Sequence, residues 1–161
     1  MSVTIRKMTE EEYKVFCQWS IEHQAKELME ELHMSQEEAI KETIAEVSEM
    51  LPDGLHTQNN YLMTIVAENE AAGFIWTIHE ETEGRKQSFL CDFAIWELKR
   101  RKGYGAAALY LEEKDAAAAG CRESVLFVAD RNDAARALYE KCGYRVLRQE
   151  GRGKYMIKKL P

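Results

Sequence analysis

Ser88-Phe89-Leu90-Cys91-Asp92-Phe93-Ala94-Ile95, followed by Arg100-Arg101-Lys102-Gly103-Tyr104-Gly105 and then an alanine-rich run from Ala106 to Ala119, is the stretch that decides how this chain is read. The first run is apolar and of strand length, and the last has the composition of a helix. Strand, basic glycine loop and helix start together make a cradle for phosphates. Glycines let the backbone come close to a ligand. The unpaired N–H groups of the first helical turn point at an anion, and the helix dipole favours negative charge there. Consecutive cations add charge-assisted contacts. The loop alone also fits an ordinary strand-to-helix turn with a solvated basic face.

A second segment narrows the choice. Ser124-Val125-Leu126-Phe127-Val128-Ala129 reads as another strand, and Asn132-Asp133-Ala134-Ala135-Arg136-Ala137-Leu138-Tyr139-Glu140-Lys141-Cys142-Gly143-Tyr144 follows it. Asn132 or Asp133 caps a helix, because a short acceptor side chain satisfies its early N–H groups. Ala135, Leu138, Tyr139 and Cys142 fall on one helical face, and Gly143 ends the helix as a residue tolerant of positive φ.

Together the two segments resemble the GNAT superfamily of acetyl-CoA-dependent N-acetyltransferases. That family carries Arg/Gln-x-x-Gly-x-Gly/Ala after its fourth strand and Asn-x-x-Ala-x-x-Leu-Tyr-x-Lys-x-Gly-Phe/Tyr after its fifth. The second pattern is met at Asn132, Ala135, Leu138, Tyr139, Lys141, Gly143 and Tyr144. The match covers the last seventy or so residues best, and the N-terminal half resembles small, uncharacterised bacterial members with a long helical insert. The resemblance implies a GNAT-like α/β fold, with a mixed, mostly antiparallel sheet splayed between the fourth and fifth strands and helices on both faces. It implies acetyl-CoA as co-substrate. Ala94 and Ile95 would pair with the pantetheine arm as if it were a further strand. The amides from Arg101 through Lys102, Gly103, Tyr104 and Gly105 to Ala106 would hold the pyrophosphate, with Arg100 and Lys102 assisting. Arg101 departs from the glycine often seen there. Asn132 would hold the pantetheine or the strand end, Ala135 belongs to the cofactor-side pattern, and Lys141 would reach the adenosine phosphate.

Composition agrees with a compact enzyme. The chain has 161 residues, 45% apolar and 31% charged, which are ordinary globular values and suit one domain spanning 1–161. Within it, residues 1–60 read as a first strand and helical substrate-side region, and 61–161 as the sheet and acetyl-CoA-binding core. No apolar run reaches the ~18–20 residues of a membrane span, and the N-terminus lacks a signal-peptide apolar region. Cys17, Cys91, Cys121 and Cys142 have no metal or redox spacing and read as reduced residues of a cytoplasmic protein. No metal is expected. A net charge of −6 argues against nucleic-acid binding and suits a small-molecule amine acceptor. A homodimer is left open.

Earlier in the chain, residues 2–7 alternate as a strand. Thr9 to Glu12 is a capping box, and so is Ser35 to Glu38. Behind the first, Tyr13, Phe16, Ser20, Ile21, Ala25, Leu28 and Leu32 share a side. Behind the second, Ile40, Thr43, Ile44, Val47 and Leu51 are in phase. Tyr61–Ala67 and Gly73–His79 read as strands joined at Glu68–Ala72. Glu80–Lys86 reads as a charged turn into the strand ending at Ile95. Final strands are expected near Tyr144–Arg148 and Lys154–Leu160.

The chemistry requires an amine to lose its proton, attack a thioester and expel a thiol. Tyr139 is expected to act as general acid to the leaving sulfur. Asp92, the one carboxylate inside the fourth strand, is the expected base, directly or through water. A carboxylate that only satisfies donors within the sheet is the competing reading. A catalytically silent CoA-binding module and a peptide or protein acetyltransferase are alternatives. A P-loop nucleotide binder is disfavoured, because no Lys-Ser/Thr follows the glycines.

Overall fold

The computed structural model describes residues 1–161. The chain forms two compact units, one of Met8–Asn60 and one of Met1–Lys7 with Tyr61–Pro161.

The smaller unit holds helices α1 (Glu10–Leu32) and α2 (Gln36–Met50) and a single 3-10 turn at Gly54–His56. Thr9 and Glu12 form the expected reciprocal cap on α1. On α2, the Ser35 side chain accepts from the Glu38 N–H at 3.2 Å. Phe16, Ser20 and Ala25 are buried on α1, and Ala39, Thr43 and Val47 on α2. The α2 stripe holds at Thr43, Val47 and Leu51 but is shifted at its edge: Ile44 stays 46% exposed, and Ala39 is fully buried instead. Small side chains let packed helices approach closely, and the Thr43 hydroxyl satisfies itself by donating to the Ala39 carbonyl at 2.8 Å. Leu32, in the last turn of α1, is also exposed rather than packed.

The larger unit is a seven-stranded mixed sheet with the order β1-β2-β3-β4-β5-β7-β6. Its strands are β1 (Val3–Lys7), β2 (Asn60–Ala67), β3 (Glu70–Thr82), β4 (Arg85–Ile95), β5 (Glu123–Ala129), β6 (Arg145–Glu150) and β7 (Gly153–Lys159). The β4–β5 pair is parallel; β1–β2, β3–β4, β5–β7 and β6–β7 are antiparallel. Strands β3 and β4 run further than the sequence suggested. Each hairpin closes on two residues with positive φ, Glu68–Asn69 and Glu83–Gly84. Such turns match the twist of the flanking strands, so the ladder continues past the core into charged residues.

Helices α3 (Tyr104–Ala118) and α4 (Asp133–Lys141) contribute to one core together with the sheet. Ile65, Ile75, Leu90, Leu109, Leu126, Tyr139 and Met156 lie in that core.

Two irregularities of β4 position the site. Trp76 pairs with Asp92 and Thr77 with Leu90, so Cys91 is an extra residue in β4, a β-bulge. The bulge reverses the in–out alternation. Before it, Ser88 bonds Glu112 of α3 at 2.9 Å. After it, Phe93 and Ile95 face the start of α3, within ordinary contact distance of where a Cβ on Gly105 would sit. Asp92, the partner of Trp76, is thereby turned to the opposite face, the one that also carries Phe89. The second irregularity is that β4 and β5 pair only from Gln87/Glu123 to Leu90/Leu126. Beyond that point β4 continues to Ile95 while β5 stays with β7 as far as Ala129/Gly153. The sheet is splayed there, as the sequence implied.

Candidate active site

The start of α3 differs from that of every other α-helix. Thr9, Ser35 and Asn132 cap α1, α2 and α4 with their side chains, whereas Gly103 at the start of α3 makes no side-chain cap. The first helical bond runs from the Ala107 N–H to the Gly103 carbonyl at 3.2 Å. The N–H groups of Tyr104, Gly105 and Ala106 therefore have no partner within the helix. Gly103 sits at φ +80, which only glycine adopts without strain. Gly105 is less constrained: a Cβ there would meet Phe93, Leu138 and Ile95 at 3.5–3.7 Å, so alanine fits. Arg101 occupies the left-handed region at φ 65. The position where the family often has glycine thus has a backbone that favours glycine. Arg100 and Lys102 are exposed, as expected of cations on a solvent-facing loop.

The gap between β4 and β5 begins just below. The Trp96 N–H donates to the Ala72 carbonyl at 2.8 Å, toward β3. Backbone groups alternate between the two edges of a strand. Those of Phe93 and Ile95 therefore face the gap, and those of Ala94 face β3, where its carbonyl would lie 2.1 Å from a Cβ on Gly73. Of the expected pair Ala94 and Ile95, Ile95 offers its backbone to the gap. Phe93 is the second such residue, and strand alternation was the signal that could have found it. The Phe93 N–H donates to Asp92 Oδ1 at 3.0 Å, and Arg100 Nε donates to the Ile95 carbonyl at 2.8 Å.

Asn132 accepts from the Ala135 N–H at 3.2 Å and so fixes the start of α4. Ala135 is packed against the core, and Lys141 is exposed. Gly143, at φ +98, ends the helix as expected. Tyr139 is buried, yet its hydroxyl makes no hydrogen bond within the protein and is not among the buried polar atoms lacking a partner; its oxygen therefore reaches the surface. Burial, then the charge of Asp92 and then Cys142, push the Tyr139 phenol well above its ordinary value. Asp92 and Tyr139 are thus close enough to interact, although they approach from opposite faces of the sheet. Cys91, at the bulge, is pushed well up by burial and then by Glu80 and Asp92, so it stays a thiol.

Below the gap, where the sheet is fully paired, lies a polar network that the sequence reading did not single out. Lys158 Nζ is 2.7 Å from Glu113 Oε1, and the Tyr144 hydroxyl lies 2.9 Å from Glu113 Oε2 and 2.7 Å from Ser124 Oγ. Glu112, held by Ser88, is pushed up to about 7, first by burial. Seven residues along α3 separate Glu112 from Gly105, about 10 Å of helix. These carboxylates serve the core rather than the gap. His79 pairs in register with Ser88 on that same lower side, its ring 4.2 Å from that of Tyr61.

On the face bearing Asp92 runs a groove of about 480 Å³, lined by Glu80, Gln87, Phe89, Val125, Arg148 and Tyr155 among others. No three His, Cys, Asp or Glu side chains are grouped to hold a metal ion, and no helix is long and apolar enough to cross a membrane.

Comparison with known proteins agrees with this arrangement. YdgE of Bacillus subtilis, described as an uncharacterized N-acetyltransferase, is 29% identical over 145 residues, covering 89% of this chain and 92% of the relative. The crystal structure of YycN from the same organism superposes with a TM-score of 0.82 at 27% identity, covering 93% of this chain and 98% of that one. A spermidine N-acetyltransferase from Vibrio cholerae, in complex with CoA and spermine, shares the fold at a TM-score of 0.68 and 17% identity, covering 98% and 95%. The model of the acetyltransferase (GNAT) family matches residues 13–144. That span takes in the splayed strands, the uncapped helix start and Tyr139, and the chain belongs to the GNAT family, as an acetyl-CoA-dependent N-acetyltransferase.

Proposed function

We propose that the enzyme acetylates the primary amine of a small molecule by direct attack, with both substrates bound together. The observation that carries this reading is the gap between β4 and β5, approached by Asp92 from one face of the sheet and by Tyr139 from the other. Acetyl-CoA supplies an acetyl group activated as a thioester. The free amides of Tyr104, Gly105 and Ala106, with Arg100 and Lys102, suit its pyrophosphate. The open edge of β4 at Phe93 and Ile95 suits the amide groups of its pantetheine arm. Asn132 and Ala135 act by fixing the first turns of α4, and Lys141 is free to meet a phosphate at the rim.

On the groove face, Asp92 attracts an ammonium ion and takes its proton, leaving the amine as nucleophile. That step also changes Tyr139. While Asp92 is charged it holds the phenol up, and once Asp92 is neutralised the phenol becomes a better donor to the departing sulfur. Base and acid are coupled through one electrostatic interaction. Cys91, held as a thiol, is poorly suited to carry the acetyl group, which favours direct transfer. The spermine-bound Vibrio cholerae neighbour supports the fold; the amine class rests on Asp92.

The test is release of free thiol from acetyl-CoA across polyamines, amino sugars, amino acids and short peptides. Turnover with a small amine and intersecting double-reciprocal lines are expected. Parallel lines would indicate a covalent relay. CoA binding without any turnover would indicate a silent module.

A further inference from the structure

Of the four backbone groups that Phe93 and Ile95 turn to the open edge of β4, one from each residue is bonded to a side chain of the chain itself. The Phe93 N–H donates to Asp92 Oδ1, and the Ile95 carbonyl accepts from Arg100 Nε. A strand edge that loses its neighbour leaves donors and acceptors in need of partners. Here an acceptor, the carboxylate, covers the donor, and a donor, the guanidinium, covers the carbonyl. We propose that Asp92 and Arg100 are internal stand-ins for the acyl donor, which displaces both as it binds and thereby releases them to their working positions. The inference rests on the reading that the donor's amide-bearing arm lies along this edge.

The exchange conserves hydrogen bonds on the strand, because an amide-bearing arm offers both a donor and an acceptor. Its consequence lies in what it frees. Asp92 belongs to the face of the sheet that carries the groove, where an ammonium ion would be met. Arg100 stands three residues before Gly103 and the free amides of α3, where the pyrophosphate would lie. One displacement thus delivers a base to the acceptor and a cation to the donor. Acceptor binding should follow donor binding in a compulsory order.

The test compares wild type, Asp92→Asn and Asp92→Ala by calorimetry with CoA and by amide exchange of Phe93 without it. Both variants lose the charge, but the Asn side-chain oxygen still covers the Phe93 N–H and Ala leaves it bare. Asp92→Ala should therefore bind CoA about three- to tenfold more tightly than Asp92→Asn, the size of one hydrogen bond. The Phe93 amide of the CoA-free protein should exchange slowly in wild type and Asn, and fast in Ala. Equal CoA affinities for the two variants would overturn the proposal. So would a rapidly exchanging Phe93 amide in CoA-free wild type, which needs no variant to fold. Wild type that binds no CoA even at millimolar concentration would instead sink the underlying reading of the donor site.

Discussion

Tyr139 and Tyr144 stand five residues apart with ring centroids separated by 5.8 Å, yet they belong to two regions with opposite habits. Tyr144 sits over the fully paired half of the sheet, where its hydroxyl lies within bonding distance of Glu113 and Ser124. Tyr139 sits at the parted half, and its hydroxyl bonds nothing in the protein. The two helix starts that follow the parted strands also differ: α4 is closed by Asn132, and α3 is left open at Gly103. In the paired region the Glu113, Tyr144, Ser124 and Lys158 groups satisfy one another and hold the fold. In the parted region the Tyr139 hydroxyl and the first amides of α3 are unfilled, and the Phe93 N–H and Ile95 carbonyl are held by the side chains of Asp92 and Arg100. The open helix start and the parted strand edge mark the site; the buried side-chain atoms without a partner, His79 Nδ1 and Glu112 Oε2, lie in the paired half.

Five substitutions would break or sharpen that contrast. The largest effect is expected from Tyr139→Phe, which should lower kcat by about 10²–10⁴ while leaving CoA affinity near wild type. Steady-state kinetics and calorimetry on one preparation would check it, and an unchanged kcat would remove Tyr139 from the chemistry. Gly103→Asp adds a carboxylate and a strained Cβ beside the open amides of α3. CoA affinity should fall by about 10²-fold or more while the fold is retained.

Tyr144→Phe should behave oppositely to its neighbour. It takes one partner from Glu113 and Ser124 and should cost about 1–3 kcal/mol of stability in thermal or urea unfolding, with kcat little altered. Glu112→Gln examines the same region by pH. Burial lifts the native carboxyl to about 7, above its ordinary unfolded value near 4.3. The stability linked to this group is complete below about pH 4 and is lost as pH rises through about 7. Gln removes that loss. The Tm advantage of the variant should be small at pH 4.5 and grow to about 1–3 kcal/mol equivalent at pH 8; an advantage independent of pH would contradict the assignment. The smallest effect is expected from Arg101→Gly. Relief of the left-handed backbone should stabilise the protein by up to about 1 kcal/mol, offset in part by greater freedom of the unfolded chain. A matched loss of CoA affinity would show that the Arg101 side chain also contacts the donor.

Much of the architecture was legible in local pattern. The Thr9 capping box, the Asn132 cap and the Gly143 stop all lie where short-range chemistry put them. The strand–loop–helix order around Gly103 was also readable, because glycine at positive φ and an uncapped helix start are local properties. Hairpin lengths were not readable, since Glu68–Asn69 and Glu83–Gly84 adopt tight turns that their neighbours' charges disguised. The inward face of α2 was misjudged at Ile44, because close packing selected the smaller Ala39 beside the expected Thr43.

By itself, then, the sequence determined the elements, their order, the open start of α3 and the candidacy of Tyr139 and Asp92. Each of these depends on residues within a few positions of one another. Only the tertiary structure decided which way Asp92 points, that Phe93 offers its N–H to the gap, and that Asp92 acts on Tyr139 across the sheet. The bulge at Cys91 and the parting of β4 from β5 are properties of strand pairing. A one-residue shift in register sends every later side chain of β4 to the other face, and no local pattern specifies it.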